Sequence, residues 1–391
     1  MLNRRILRFK ALKALYAYRK ARDANQLWVA ERMKADFEPD WLAKTPPDIK
    51  ALEAAYEEAR RSFLEITCRE GQPQANIAPS SAKAKQAVRQ AFQFYEGQIE
   101  KDRQRIRRQM LEEAEGIYKT YLLMLQLLCD LATYAETDAE NRKKRVYDRE
   151  PVYENEYKLS RNQWIQKLRK LEQFERLRQQ YAPKWDEGLL REWYGKLREQ
   201  EWYQEYCALP EADYAQDWQA VDDIVRKFIF AHEAVVEHFE ERDLQWVENR
   251  PILRNMLLRT LKNAKTEAKE LELQPLARNW ENDKFFFEEL FDQTVAHEIE
   301  HDELIRERLK NWELDRVALT DRLILQLALT ELFYFQSIPT KVTINEYVEL
   351  TKKYSPPKSR EFVNGLLDRL TQALVAEGKI RKSGRGLIDN R

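Results

Sequence analysis

Residues 322–370 read RLILQLALTELFYFQSIPTKVTINEYVELTKKYSPPKSREFVNGLLDRL, and this stretch decides the fold class. Ile324, Leu325, Ala328, Leu332 and Phe335 recur at helical spacing, and Pro339 ends that helix. A second helix is expected to open at Thr343-Ile344-Asn345-Glu346, which has the form of a capping box with Glu346 reaching back. A third follows Ser355-Pro356-Pro357 and turns Phe362, Val363, Leu366, Leu367 and Leu370 inward. Gly365 lies within it, and the missing side chain predicts close approach of a neighbouring helix.

Outward from this stretch the helical signal persists. FFFEELFDQTV, from Phe285, reads as a helix that precedes it. No proline occurs from Ser81 to about Arg145, where Tyr118, Leu122, Leu125 and Leu128 predict one or two long helices. The Pro46-Pro47 pair and GQPQANIAPSS read as loops. Residues 146–280 carry short helices rich in tryptophan and tyrosine. Trp185, Leu189, Trp193, Leu197 and Trp202 form a stripe that could stack bases but at this spacing reads as core. Nine glycines and thirteen prolines in 391 residues are too few turn-formers for a sheet protein, so the fold class is all-α with essentially no sheet. No apolar run reaches the roughly 18 residues of a membrane span. Cys68, Cys129 and Cys207 lie far apart without metal-like spacing, as in buried thiols of a reducing cytoplasm. The opening residues are too basic for a signal peptide, which fits a cytoplasmic protein.

Charge is balanced overall at 67 basic and 67 acidic residues, yet its distribution is uneven. Before Asp23 there is no acidic residue, while Arg4, Arg5, Arg8, Lys10, Lys13, Arg19, Lys20 and Arg22 all fall there. The first helix places Ile6, Phe9, Leu12, Leu15 and Tyr16 on one face, flanked by these cations. Arginines at a helix start oppose the macrodipole, a conflict that a bound phosphate would relieve. The tail GKIRKSGRGLIDNR is also basic, holds three glycines and reads as flexible. A basic end on a neutral body points to a local polyanion contact, against the plainer reading of a solvated helix face.

His297-Glu298-Ile299-Glu300-His301 matches the zinc-binding H-E-x-x-H spacing. Its surroundings are strongly polar and no later histidine supplies a third ligand. Residues 230–250 and 295–316 also resemble each other, and the earlier copy keeps Ala231-His232-Glu233 while lacking the second histidine. A duplicated helical-hairpin module therefore accounts for half the motif, and neither metal nor cofactor is expected.

The series L-x-x-A-x-x-E-L (Leu325–Leu332), I-P-x-K-V-x-I-N-E (Ile338–Glu346), E-L-x-K-x-Y (Glu349–Tyr354) and F-V-N-G-x-L-D (Phe362–Asp368) strongly resembles the C-terminal half of NusB proteins. R-R-x-x-R-x-x-A-L-x-A-L-Y, from Arg4 to Tyr16, resembles that family's arginine-rich first helix. The resemblance implies a NusB-like helical bundle. Residues 1–22 would be its first helix, 23–282 a helical insertion, 283–376 the family core and 377–391 a basic flexible tail. It implies a non-enzymatic transcription antitermination factor working in the elongation complex, with ribosomal protein NusE as partner and boxA-like single-stranded RNA as ligand. Carried over, Arg4, Arg5 and Arg8 are phosphate contacts with Tyr16 beside them, and Lys358, Ser359 and Phe362 belong to a second RNA surface. Lys358 stands where an acidic residue is common in the family, and Gln326 where a basic one is. The rival classes are a helical scaffold without RNA and, on the zinc motif, a metallopeptidase. Fusion to an RNA cytosine methyltransferase would need a glycine-rich cofactor loop and a reactive cysteine, and neither is visible.

Overall fold

The computed structural model describes residues 1–42, 46–67, 79–144, 157–181, 184–309 and 314–390, and among these there is no strand. Cys68 lies outside the described residues, whereas Cys129 and Cys207 are buried. No helix among the described residues is long and apolar enough to cross a membrane. The chain forms two compact units, Arg4–Glu112 with Glu281–Arg391, and Met1–Asn3 with Glu113–Trp280.

The chain opens with α1 (Arg4–Arg32), ten residues longer than the resemblance implies, followed by a short 3-10 turn, Met33–Phe37. Its buried face is Leu7, Phe9, Ala11, Leu12, Ala14, Leu15 and Tyr18. Tyr16, expected on that face, is 41% exposed instead. Helix α2 (Ile49–Thr67) packs on α1. The proline-free stretch becomes a single helix, α3 (Ala82–Lys144).

After α3 the chain continues in short helices: α4 (Lys158–Arg161), α5 (Gln163–Arg169), α6 (Glu172–Tyr181), α7 (Glu187–Arg198), α8 (Glu201–Ala208) and α9 (Tyr214–Asp223). A wide π turn (Ile224–Ile229) leads on to α10 (Glu233–Arg242) and α11 (Trp246–Asn263). Three of the five stripe residues are core, while Leu189 and Trp202 are half-buried. Trp193 and Leu197 are buried, and Trp185 meets Trp193 edge-on at 5.1 Å while donating Nε1–H to the Leu123 carbonyl at 2.9 Å. Asn162 caps α5 through the Ile165 N–H, and its amide also reaches the Asp217 carbonyl at 2.9 Å. The Asp217 carboxylate accepts from the Tyr206 hydroxyl at 2.7 Å and the Gln163 N–H at 2.8 Å.

The chain then runs through α12 (Trp280–Ala296), α13 (Glu298–Arg308), α14 (Leu319–Tyr334), α15 (Thr340–Tyr354) and α16 (Ser359–Ala376). Every residue of α14 from Asp321 to Leu332 is buried, because α1, α13, α15 and α16 all pack against it. A helix enclosed on all sides must pair its polar groups internally. Arg322 donates two hydrogen bonds to Asp302, Gln326 donates a third at 2.7 Å, and Thr330 pairs with Thr294 at 2.8 Å. Gln326 thus has an internal task.

Three local expectations are corrected. Helix α15 starts at Thr340 after Pro339, so Thr343 is buried inside it and there is no capping box; Glu331 and Arg5 take the two groups that would have formed one. A Cβ on Gly365 would meet nothing within 4 Å, so no helix approaches closely there. The tail is anchored on the domain at Lys382, Ser383 and Gly386. Lys382 donates to the carbonyls of Glu331 and Phe335, Ser383 N–H to that of Gln336, and Gly386 sits so close to Gln336 that a Cβ would lie 2.0 Å from its oxygen. Burial lowers the Lys382 ammonium to about 8, although the Glu331 charge opposes this.

Candidate nucleic-acid interface

The three arginines at the start of α1 have different surroundings. Arg8 is 4% exposed, and its guanidinium forms a fork on Glu331 at 2.6 and 2.8 Å. The same carboxylate accepts from Thr343 at 2.8 Å and Tyr347 at 3.2 Å, so four donors satisfy it. Burial alone would weaken the Arg8 charge, but Glu331 outweighs burial and holds it above the ordinary arginine range. Burial, then Glu331, raises the Tyr347 hydroxyl well above its usual value. Arg4 lies over the Phe286 ring and bonds Asp283 at 3.1 Å and Asn282 at 2.7 Å. Arg5 forms a second fork, on Glu346 at 2.7 and 2.8 Å, yet its side chain remains 64% exposed. Carboxylates of this same unit therefore relieve the unfavourable dipole, where the sequence suggested phosphate. Arg8 is not solvated, and its side chain faces the interior.

What α1 turns outward is a stripe. At about 100° per residue, Arg5, Lys13, Tyr16 and Lys20 fall within an arc of roughly 80°. Lys20 Nζ lies 5.8 Å from the Tyr16 ring. Lys13 and, from α15, Lys353 hold their ammonium groups 4.7 and 5.1 Å from the Phe9 ring, which stacks on Tyr354 at 4.5 Å. Arg5 and Arg360, on α1 and α16, both act on Glu349, whose carboxyl is lowered first by its hydrogen bond from Lys352. The starts of α1 and α16 thus flank one stretch of α15. Lys358, at the N-cap of α16, is exposed; Ser359 is buried and Phe362 half-buried. Of the seven residues singled out in the sequence, Arg5, Tyr16 and Lys358 face solvent, Arg4 and Phe362 do so in part, and Arg8 and Ser359 do not. Lys353 was missed; its signal was the Lys352-Lys353 pair ending α15, one helix away from the arginines that drew attention.

Residues 249–372 match the profile of the NusB family. The chain carries a NusB family domain. Curated relatives called transcription antitermination protein NusB share this region. The protein of Salinibacter ruber is 44% identical over 103 residues, covering 26% of this chain and 64% of its own. That of Chloroherpeton thalassium is 38% identical over 106 residues, or 27% and 50%. That of Bacillus velezensis is 44% identical over 85 residues, or 22% and 65%. The chain thus spans less than two thirds of each of these relatives, and the residues before 249 are extra to the NusB domain. No solved structure matches. Helix α1 lies outside the NusB match but packs on α14 within one compact unit.

The histidine pair of this NusB domain has a different setting from a zinc helix. Both oxygens of Glu298 are engaged by Arg22, at 2.5 and 2.8 Å, and Arg19 also bonds it. His301 is buried against Phe333, which holds its imidazole down at about 3 through desolvation and then the neighbouring His297. His297 is the N-cap of α13 and bonds Glu300 at 2.9 Å, just as His232 is the N-cap of α10 in the other unit. In both copies the histidine-glutamate pair marks a helix start. No group of three metal-ligating side chains occurs among the described residues.

Proposed function

We propose that this chain is a non-enzymatic, RNA-binding transcription antitermination factor that acts with ribosomal protein NusE on boxA-type RNA in the elongation complex. The match of residues 249–372 to the NusB family carries this reading. The names of the relatives supply the biological process, and the exposed cations and ring of α1 supply suitable chemistry: lysine and arginine neutralise phosphates, and Tyr16 offers a face to an unpaired base. The contact set is Arg5, Tyr16 and Lys358, joined by Lys13, Lys20 and Lys353, with Arg4 and Phe362 at its edge. Arg8 acts beneath this surface by holding α1 to Glu331, and Ser359 is buried beneath it at the start of α16.

The test is fluorescence anisotropy with a boxA-like RNA, with and without NusE, over a range of salt. The triple variant Arg5→Gln, Lys20→Gln, Lys358→Gln spares the buried pairs. Each lost phosphate contact on a single strand removes about 0.7 from the logarithmic salt slope, so the slope becomes shallower by about 2. Unchanged affinity and slope in a folded variant would favour a helical scaffold without RNA.

A further inference from the structure

A second aromatic and basic feature lies near the other end of α1. Trp28 is 50% exposed, and its ring meets Phe94 of α3 at 5.4 Å. The Arg32 guanidinium lies 4.1 Å from the Phe94 centroid and 5.9 Å from that of Trp28. The carboxylate beside it in sequence, Glu31, faces Arg60 at 3.9 Å. Of these groups Arg32 and Phe94 line a cleft of about 350 Å³, together with Val29, Met33, Asp36 and Gln90, and Trp28 stands beside it against Phe94. The opening of α3, from Ala82 to Tyr95, contains no acidic residue, and its Lys83, Lys85 and Arg89 are all exposed.

We infer that this cleft binds one nucleotide of single-stranded RNA, extending the RNA contact of the protein along α1 beyond the NusB domain. The inference rests on the RNA-binding reading above. A half-exposed tryptophan beside a guanidinium stacked on a ring presents two flat faces and one positive charge, the combination that holds a base and its phosphate. Gln90 can donate to and accept from a base edge, and Asp36 can accept from an exocyclic amine. The cleft volume is that of a small-molecule site. The acid-free opening of α3 gives the neighbouring phosphates a cationic surface, whereas a protein segment docking here would need acidic residues to match it.

The experiment uses the full chain and two RNAs, a boxA-like core and the same core extended by a run of 4-thiouridines. Photocrosslinking should map the extension to peptides containing Trp28 or Phe94. Trp28→Ala and, separately, Arg32→Gln should weaken the extended RNA at least about fivefold, since base–aromatic stacking contributes on that scale. The core RNA should be unaffected, and Trp28→Phe should retain most of the gain. Crosslinks confined to α1 near Tyr16, with Trp28→Ala and Arg32→Gln both binding like the wild type, would overturn the inference while leaving the α1 stripe intact. Persistence of the Trp28 effect with no effect of the Arg5, Lys20, Lys358 variant would instead overturn the stripe. If the folded wild type bound neither RNA, both readings would fall.

Discussion

The unit of residues 4–112 and 281–391 places Arg8, Arg22 and Arg322 inside, each 4% exposed and each on a carboxylate of another helix. The unit around residues 113–280 closes its interior mainly with rings, and its buried Asp217 faces a phenol and a backbone N–H. Both solutions give these buried charges partners, but they fail differently. A buried ion pair is costly to form and costlier to break by halves, so its value lies in fixing which helix meets which. A ring cluster gains stability from area and contact and tolerates a change of partner more readily.

The largest contrast should come from paired substitutions. Arg8→Ala leaves Glu331 buried with its main cation gone and should cost about 3–5 kcal/mol in urea unfolding, whereas Arg8→Met with Glu331→Leu should recover most of that loss. Trp193→Ala should cost a similar amount, about 3–5 kcal/mol, with no second substitution restoring it as fully. Equal recovery in both units would break the comparison. Smaller by about half is Tyr206→Phe, which removes a donor from buried Asp217 and should cost about 1–3 kcal/mol. Hydrogen exchange in α5 and α9 would locate that loss.

The third effect is one of pH. Because folding lowers His301 to about 3, the unfolded chain binds its proton first as acid is added. Its contribution to stability is complete above the unfolded value of about 6.5 and declines as pH falls toward 3, by roughly 1.4 kcal/mol per pH unit. His301→Gln should therefore flatten the stability profile between pH 6.5 and 5, and an unchanged slope there would show that the imidazole is not held neutral. Smallest of all, Arg5→Ala breaks an exposed fork and should alter stability by less than about 1 kcal/mol. Against the loss for Arg8→Ala, that difference separates a surface arginine from an internal one three residues away.

Sequence periodicity exposed the helices of the family core because Pro339 and Pro356-Pro357 punctuate them, and it exposed α3 because no breaker interrupts it. It misplaced the start of α15, since Thr343 and Glu346 look like a cap locally but are claimed by Glu331 and Arg5. Arg4, Arg5 and Arg8 are alike in sequence. What sorts them into half-buried, exposed and buried is the set of carboxylates at 283, 346 and 331, which no local pattern connects to them. The tail looked flexible from its glycines, yet Gly386 is needed where the backbone presses on Gln336.

The Arg8–Glu331 fork joins residues 323 positions apart. A ribosome adding roughly 5–20 residues per second delivers Glu331 about 16 to 65 s after Arg8. Over that interval α1 has left synthesis with its apolar face and its inward arginine lacking the helix that completes them. Closing so long a loop is slow, and the reward comes at the end. The start of α1 is thus seated late, and it stays open to chaperones and proteases until α14 arrives.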